Sequence, residues 1–460
     1  MGKKKTLYLP RNVDTTSSTY FIIKKHLGKF TMNKKINLLL LFCFSMLFVS
    51  AQASELKDKL EKLKGISQIQ ELKTDIYPEK YVMKLKQWID PKDTTIGSFT
   101  QRIILCHVGF DRPTVLVTEG YGAKYALREK YQDELSKLFN TNVVFVEYRY
   151  FLESCPEPKN WDYLTAENSA YDLHHVTETF KQLYQKKWIS TGVSKGGQTT
   201  SLYRAFFPDD VDFSVPYVAP WNRGVEDGRH EIFLTKVGTK AERKLIKNFQ
   251  MEILKRKDTL FPMFQQYIND NGYKFRVPIE EIYDLTVLEY SFALWQWGTS
   301  TKSIPSLKSD DKTLFNHWIS ISSPQYFSKG QETEPFNVQA ARELGYYGYD
   351  IKPFKKYLHI KSTEGYLNRV MLPDELIDKV TFDPALYNKV LKFLEDNDPK
   401  MIFICGEVDP WNATHFPIFP GKKNEQVYIQ PRGSHLSRIS NMPENMKKQI
   451  MQQIQTWLDE

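Results

Sequence analysis

Strands and helices alternate along most of this chain, and that alternation constrains the fold more than any other feature. Val143 to Tyr148 reads VVFVEY, a run of β-branched and aromatic residues of the kind buried on both faces of a sheet. Tyr81 to Ile89, Phe99 to Val108 and Pro113 to Thr118 are further extended segments, separated by turn residues such as Asp90, Pro91, Asp111 and Pro113. A helical stretch near Ala126 to Phe139 precedes VVFVEY. An amphipathic helix from Thr165 to Tyr184 follows it, with Leu173, Val176, Phe180 and Leu183 on one face. Next come Trp188 to Thr191, a glycine-rich turn, a helix ending before Pro208, and the strand Phe213 to Val218. Such a succession folds as a mostly parallel sheet covered by helices on both faces.

From about Val225 to Glu395 the alternation stops. Lys240 to Arg256, with Leu245, Phe249 and Ile253, and Ile279 to Trp297, rich in aromatic residues, read as helices. Strand pattern returns at Met401 to Cys405 and Val427 to Gln430, and a last helix places Ile450, Ile454, Trp457 and Leu458 on one face. A helical insertion therefore interrupts an α/β domain. The length agrees, because 460 residues exceed the roughly 250 to 300 at which a single core stops growing. The expected division is core 54–224, insertion 225–395 and core 396–460, opening on a short helix that carries Leu56, Leu60 and Leu63.

The charge has an address. Lys3, Lys4, Lys5, Arg11, Lys24, Lys25, Lys29, Lys34 and Lys35 stand against Asp14 in residues 1–53, which accounts for the whole formal charge of +8. The remainder is balanced, so no global basic field points to nucleic acid or an anionic membrane. Met32, Asn33, Lys34 and Lys35 precede the apolar run Leu38 to Val49 and then Ser50, Ala51, Gln52 and Ala53, the pattern of a secretory signal peptide over 32–53 cleaved after Ala53. The run falls well short of the roughly 20 residues of a membrane span, so no stable membrane insertion is expected. Residues 1–31 match neither a signal nor a domain, and translation is expected to start at Met32. The mature chain is expected to be secreted or periplasmic. Its cysteines, Cys106, Cys155 and Cys405, have no metal-ligand spacing; export permits a Cys106–Cys155 disulfide, and Cys405 reads as a buried hydrophobe.

Gly192-Val193-Ser194-Lys195-Gly196 lies between a strand and a helix, the setting in which a serine is presented on a tight turn as a nucleophile. A hydroxyl attacks only if a base removes its proton, and the base needs an acid to orient it. In this arrangement the acid and the histidine follow the serine in that order. The strand Met401 to Cys405 runs into Gly406-Glu407-Val408-Asp409-Pro410-Trp411, and Val427 to Gln430 runs into Pro431-Arg432-Gly433-Ser434-His435. Asp409 and His435 thus sit just past strand ends, where sites in such sheets gather. Glu407 is the rival acid. Among histidines, His415 is not in a loop after a strand, His174 and His175 lie on the helix before the turn, and His107, His230, His317 and His359 precede it or belong to the insertion. The backbone N–H of Lys195, at the start of the following helix, and that of Tyr121, in Thr118-Glu119-Gly120-Tyr121-Gly122, are the expected oxyanion donors.

These motifs carry a resemblance. Val146-Glu147-Tyr148-Arg149-Tyr150-Phe151-Leu152-Glu153-Ser154 and Trp161-Asp162-Tyr163-Leu164-Thr165 resemble the secreted serine peptidases of the prolyl carboxypeptidase and dipeptidyl peptidase II group. Thr191-Gly192-Val193-Ser194-Lys195-Gly196-Gly197 and Tyr217-Val218-Ala219-Pro220-Trp221-Asn222 are closer still to the bacterial secreted tripeptidyl aminopeptidases, and Asp409-Pro410-Trp411 and Gly433-Ser434-His435 match their acid and base motifs. The resemblance runs from about residue 99 to the C-terminus and is weakest in the insertion. It implies an α/β-hydrolase fold with a helical cap, no metal or organic cofactor, and peptide substrates from whose free N-terminus short peptides are released, with proline favoured before the cleaved bond. It also implies that Trp411 lines a proline pocket; the alternative is a tryptophan that packs its loop. Lys195 stands where the prolyl carboxypeptidase group carries an aromatic residue. An aminopeptidase needs an anion for the substrate ammonium, and Glu119, Glu226, Asp227, Glu280 and Glu281 are candidates, Glu119 being nearest the oxyanion loop. An esterase or lipase with the same triad, or a noncatalytic surface binding protein on the same fold, are the competing readings.

Overall fold

The computed structural model describes residues 55–460; the proposed start, signal peptide and cleavage point lie outside the described residues. Residues 55–61 form a short helix, α1, in an N-terminal unit that ends at Lys62, and Leu63–Glu460 forms a second unit.

In the second unit the strands are β1 (Ile66–Glu71), β2 (Glu79–Trp88), β3 (Ser98–His107), β4 (Thr114–Thr118), β5 (Asn142–Val146), β6 (Trp188–Val193), β7 (Phe213–Tyr217), β8 (Met401–Gly406) and β9 (Glu425–Gln430). They build one sheet in the order β1-β2-β3-β5-β4-β6-β7-β8-β9. The pairs β1–β2, β2–β3 and β3–β5 are antiparallel, and β5, β4, β6, β7, β8 and β9 run parallel. This is an α/β-hydrolase fold, a mostly parallel open sheet as the alternation predicts. The parallel strands β4 to β8 are buried apart from Val193 at the end of β6, which is why they read as largely apolar runs. Sequence reasoning missed β1, ISQIQE, because an edge strand that buries little of either face carries hardly any apolar pattern.

The helices that cover the sheet are α2 (Glu134–Phe139), α3 (Ala166–Lys181) and α4 (Lys195–Phe206). The stretch expected to be helical from Ala126 is instead a 3-10 turn, Lys124–Leu127, followed by the short α2, which starts where Asp133 accepts from Ser136 N–H. Its aromatic and apolar residues pack under turns rather than along one continuous helix. Thr165 caps α3 by accepting from Asn168 N–H, an interaction that stabilises a helix by about 1 kcal/mol.

Between β7 and β8 the chain forms α5 (Arg229–Leu234), α6 (Lys240–Lys255), α7 (Lys257–Asn271), α8 (Ile279–Gln296), α9 (Asp311–Ile321), α10 (Glu334–Gln339) and α11 (Ala385–Asp396). Thr239 and Glu242 close a reciprocal cap at the start of α6. α8 is buried on nearly every side from Ile282 to Trp295, and its Tyr283 packs with Phe249, Phe264 and Trp318 in a core distinct from that of the sheet. On one face of the sheet, Ile104, Val115, Phe145, Ile189 and Ile402 pack with Ile450, Ile454 and Trp457 of α12 (Glu444–Asp459). On the other, Leu202, Met401, Phe403 and Cys405 pack with Leu386, Val390 and Leu394 of α11. Cys106, Cys155 and Cys405 are thiols in no disulfide, and burial pushes both Cys106 and Cys405 up to about 12. Among the described residues no helix is long and apolar enough to cross a membrane.

Candidate active site

From β4 the chain moves to one side, to β5, and then returns to place β6 on the other side of β4. Such a reversal opens a crevice beyond the carboxyl ends of the strands. Glu119, Gly120 and Tyr121 follow β4 there, and Ser194 follows β6.

Ser194 has φ 60° and ψ −122°, a conformation a side-chain-bearing residue holds only when its surroundings enforce it. The enforcement is visible. Its N–H donates to the Tyr217 carbonyl at 2.9 Å, and a Cβ on Gly192 would lie 2.4 Å from the Gly196 carbonyl oxygen. Only glycine lets the turn close this tightly. Lys195 opens α4, so its N–H has no acceptor within the helix. The Lys195 side chain is buried, its Nζ makes no hydrogen bond to a described residue and lies 3.3 Å from the Tyr148 ring centroid. Burial pulls that amine well below its ordinary value, against the pull of Glu119 and Glu343.

Asp409 and His435 come together across the loops after β8 and β9. His435 Nδ1 and Asp409 Oδ2 are 2.6 Å apart, with both side chains almost fully buried. The second Asp409 oxygen accepts from Trp411 N–H at 3.2 Å, which fixes the carboxylate against the start of the following turn. The His435 N–H donates to the Gln296 carbonyl at 2.9 Å, and the Trp297 ring stands edge-on to the imidazole at 6.0 Å. The end of α8 thus braces the histidine, a support with no signature in sequence. No hydrogen bond joins the Ser194 hydroxyl to His435 among the described residues. Nucleophile and base contacts of this kind commonly tighten only when substrate binds. Glu407 is exposed and accepts from Arg432 N–H at 2.6 Å. The rival histidines are held elsewhere, His415 by the Phe416 carbonyl, His174 by Asp210, His175 by Gln87 and His317 by Tyr290.

The loop after β4 presses directly on the elbow. A Cβ on Gly120 would lie 2.7 Å from both the Gly196 nitrogen and the Lys195 Cβ. Gly120→Ala is therefore expected to push Tyr121 away from Lys195 and lower kcat by about 100-fold or more, the usual penalty for a displaced oxyanion donor, with the circular dichroism spectrum retained; kcat within threefold of the parent would show that the loop plays no such part. Glu119 is buried, and its carboxylate accepts from Tyr125 Oη at 2.6 Å. Burial raises its pKa, partly offset by Tyr125, by the N–H groups of Gly120 and Tyr121, and by Lys195.

Ser194, Lys195, Tyr121 and Trp411 line one cavity of about 380 Å³. Trp411 is edge-on to Phe292, Tyr347 and His230, at 5.2 to 5.3 Å between ring centroids. Glu119 is not among the lining residues, nor are Glu226, Asp227, Glu280 and Glu281. Three of these are engaged elsewhere, Glu226 by Gly365 N–H, Asp227 by Arg229 and Glu281 by Arg369. The carboxylate that does line it is Glu289 of α8, which sequence reasoning missed. The available signal was an acid set between Leu288 and Tyr290 in the apolar and aromatic second half of a helix. Gln296, Trp297, Tyr326, Tyr346 and Tyr347, also lining, were likewise unforeseen.

The family model described as PS-10 peptidase S37 matches residues 49–459. The prolyl tri/tetrapeptidyl aminopeptidase of Streptomyces mobaraensis is 29% identical over 422 residues, covering 89% of this chain and 86% of the relative. Among solved structures, a proline iminopeptidase of Mycobacterium smegmatis aligns with a TM-score of 0.38 at 12% identity, over 85% of this chain and 99% of that one.

Proposed function

The chain belongs to the PS-10 peptidase S37 family, and from that membership we propose that it is a serine aminopeptidase releasing short peptides, tripeptides foremost, from free N-termini, with proline favoured before the cleaved bond. Ser194 Oγ attacks the peptide carbonyl. His435 takes the serine proton on Nε2 and hands it to the leaving amine, while Asp409 holds the Nδ1–H and stabilises the imidazolium. The N–H groups of Lys195 and Tyr121 receive the developing oxyanion. Water then enters by the same route in reverse and frees the acyl group. The observation that carries the reading is the buried 2.6 Å contact of His435 with Asp409, two residues before Trp411, which lines the same cavity as Ser194.

The segments 54–224 and 396–460 supply the triad and the oxyanion loop, and the insertion 225–395 serves as a cap over the site. Trp411 offers its indole face to a pyrrolidine ring. Export through the signal peptide at 32–53, cleaved after Ala53, places the enzyme in the periplasm or outside the cell; the segregation of charge and the Ala-x-Ala ending support this.

A panel of free-amine tripeptide amides, their N-acetylated forms and simple esters tests the substrate class. The free-amine amides should be turned over with the highest kcat/KM, by at least tenfold over the acetylated forms. A preference for blocked peptides or esters would instead make this an endopeptidase or an esterase.

A further inference from the structure

α8 carries two acids inside its buried stretch, Asp284 and Glu289, and they are treated differently by the fold. Asp284 is fully provided for, by the Lys257 ammonium at 3.0 Å and by the N–H groups of His359 and Ile360. Among the described residues no cation pairs with Glu289. One of its oxygens, Oε2, accepts from Tyr347 Oη at 2.9 Å and from Tyr349 Oη at 2.7 Å. No hydrogen bond from a described residue reaches Oε1. The side chain is 6% exposed, and what exposure it has is to the cavity that Ser194 also lines. A buried carboxylate without a positive partner is unfavourable, so this arrangement is incomplete until a cation enters.

We propose that Glu289 receives the α-ammonium of the substrate's N-terminus, an inference that rests on the aminopeptidase reading. An ammonium brings a full positive charge and three N–H donors, which complete the open side of the carboxylate. The two phenols hold Oε2 in place beforehand, so binding does not have to order the anion. With the anion and the nucleophile fixed in one cavity, their separation sets how many residues are released.

The surroundings of Glu289 give it a signature in pH. Burial pushes its carboxyl up to about 7, with Tyr349 and Tyr347 pulling the other way. The hydroxyls facing it, Tyr326, Tyr347, Tyr349 and Tyr366, are held protonated by burial, and His230, packed on Tyr347, is pushed down to about 3. Of these groups, Glu289 is the one that changes charge between pH 5 and 8. Its carboxylate form is complete above its folded value and lost below it, so capture of an ammonium weakens as pH falls through about 7. At the other limit the peptide amine itself loses its proton above about 8.

The test compares inhibition by Ala-Ala-Pro and by N-acetyl-Ala-Ala-Pro from pH 5.5 to 8, on the parent enzyme and on Glu289→Gln. The parent should bind the free amine about 30-fold or more tightly than the acetylated peptide at pH 7.5, as expected for a desolvated charge pair, and this ratio should shrink below pH 7. Glu289→Gln should reduce the ratio to within threefold at every pH while binding the acetylated peptide as the parent does. A variant that keeps the ratio overturns the proposal, and if Glu119→Gln loses it instead, the amine site belongs to Glu119. A parent ratio that stays flat from pH 5.5 to 7.5 overturns it without any variant. A parent with no preference for the free amine would remove the aminopeptidase reading, and this inference with it.

Discussion

Ser194→Ala is expected to lower kcat on the order of a million-fold while leaving the protein folded. Removing the nucleophile of a serine triad abolishes the covalent route, and what remains is the modest acceleration provided by binding and the oxyanion donors. The fold should tolerate the change because the Ser194 hydroxyl makes no hydrogen bond to another described residue, and because the unusual backbone at this position is enforced by its neighbours rather than by the side chain. Thermal unfolding within about 2 °C of the parent, together with loss of labelling by a fluorophosphonate probe, would accompany the lost turnover. Substantial peptidase activity in this variant would place the nucleophile elsewhere. Failure of the parent to take up the probe would favour a noncatalytic binding protein on the same fold.

The second large effect is expected from Asp409→Asn, with kcat falling about 10⁴-fold and KM little changed. The reason is the proton on the imidazole. Asp409 accepts from His435 Nδ1–H at 2.6 Å, which leaves Nε2 free to receive the serine proton. The asparagine can still accept from Trp411 N–H with its oxygen, as the carboxylate does at 3.2 Å, and its amide nitrogen then points an N–H donor at Nδ1. The histidine must respond by carrying its proton on Nε2, where it can no longer act as a base. Glu407→Gln is the matched control. Glu407 is exposed and bonded to the Arg432 backbone, so kcat should stay within a few-fold of the parent. If the two variants exchanged effects, the acid of the triad would be Glu407.

The sheet was legible because most of its parallel strands are buried on both faces and therefore largely apolar, and because the turns between them are written in Gly, Pro and Asp. Strand β1 escaped for the opposite reason. Ser194 could be nominated because a serine on a strand-to-helix turn needs small residues at fixed spacings. Asp409 and His435, which the structure brings into contact, could be nominated because each follows an apolar strand and the order along the chain is restricted. The insertion gave up its helices but not their relations, since helical periodicity says which residues are buried and not what they are buried against. Glu289 illustrates the limit: in the chain it is one acid among many, and only packing shows that two tyrosine hydroxyls reach one of its oxygens while the other is left to the cavity.

By itself the sequence determined the class of fold and the family, and it nominated Ser194, Asp409 and His435 for the chemistry, because each of these depends on residue types at short spacing or in fixed order. The tertiary structure alone decided which carboxylate stands in the cavity, how the end of α8 braces His435, and how closely Gly120 presses on the elbow. Those are distances between segments far apart in the chain, fixed by the packing of cores that no local pattern encodes.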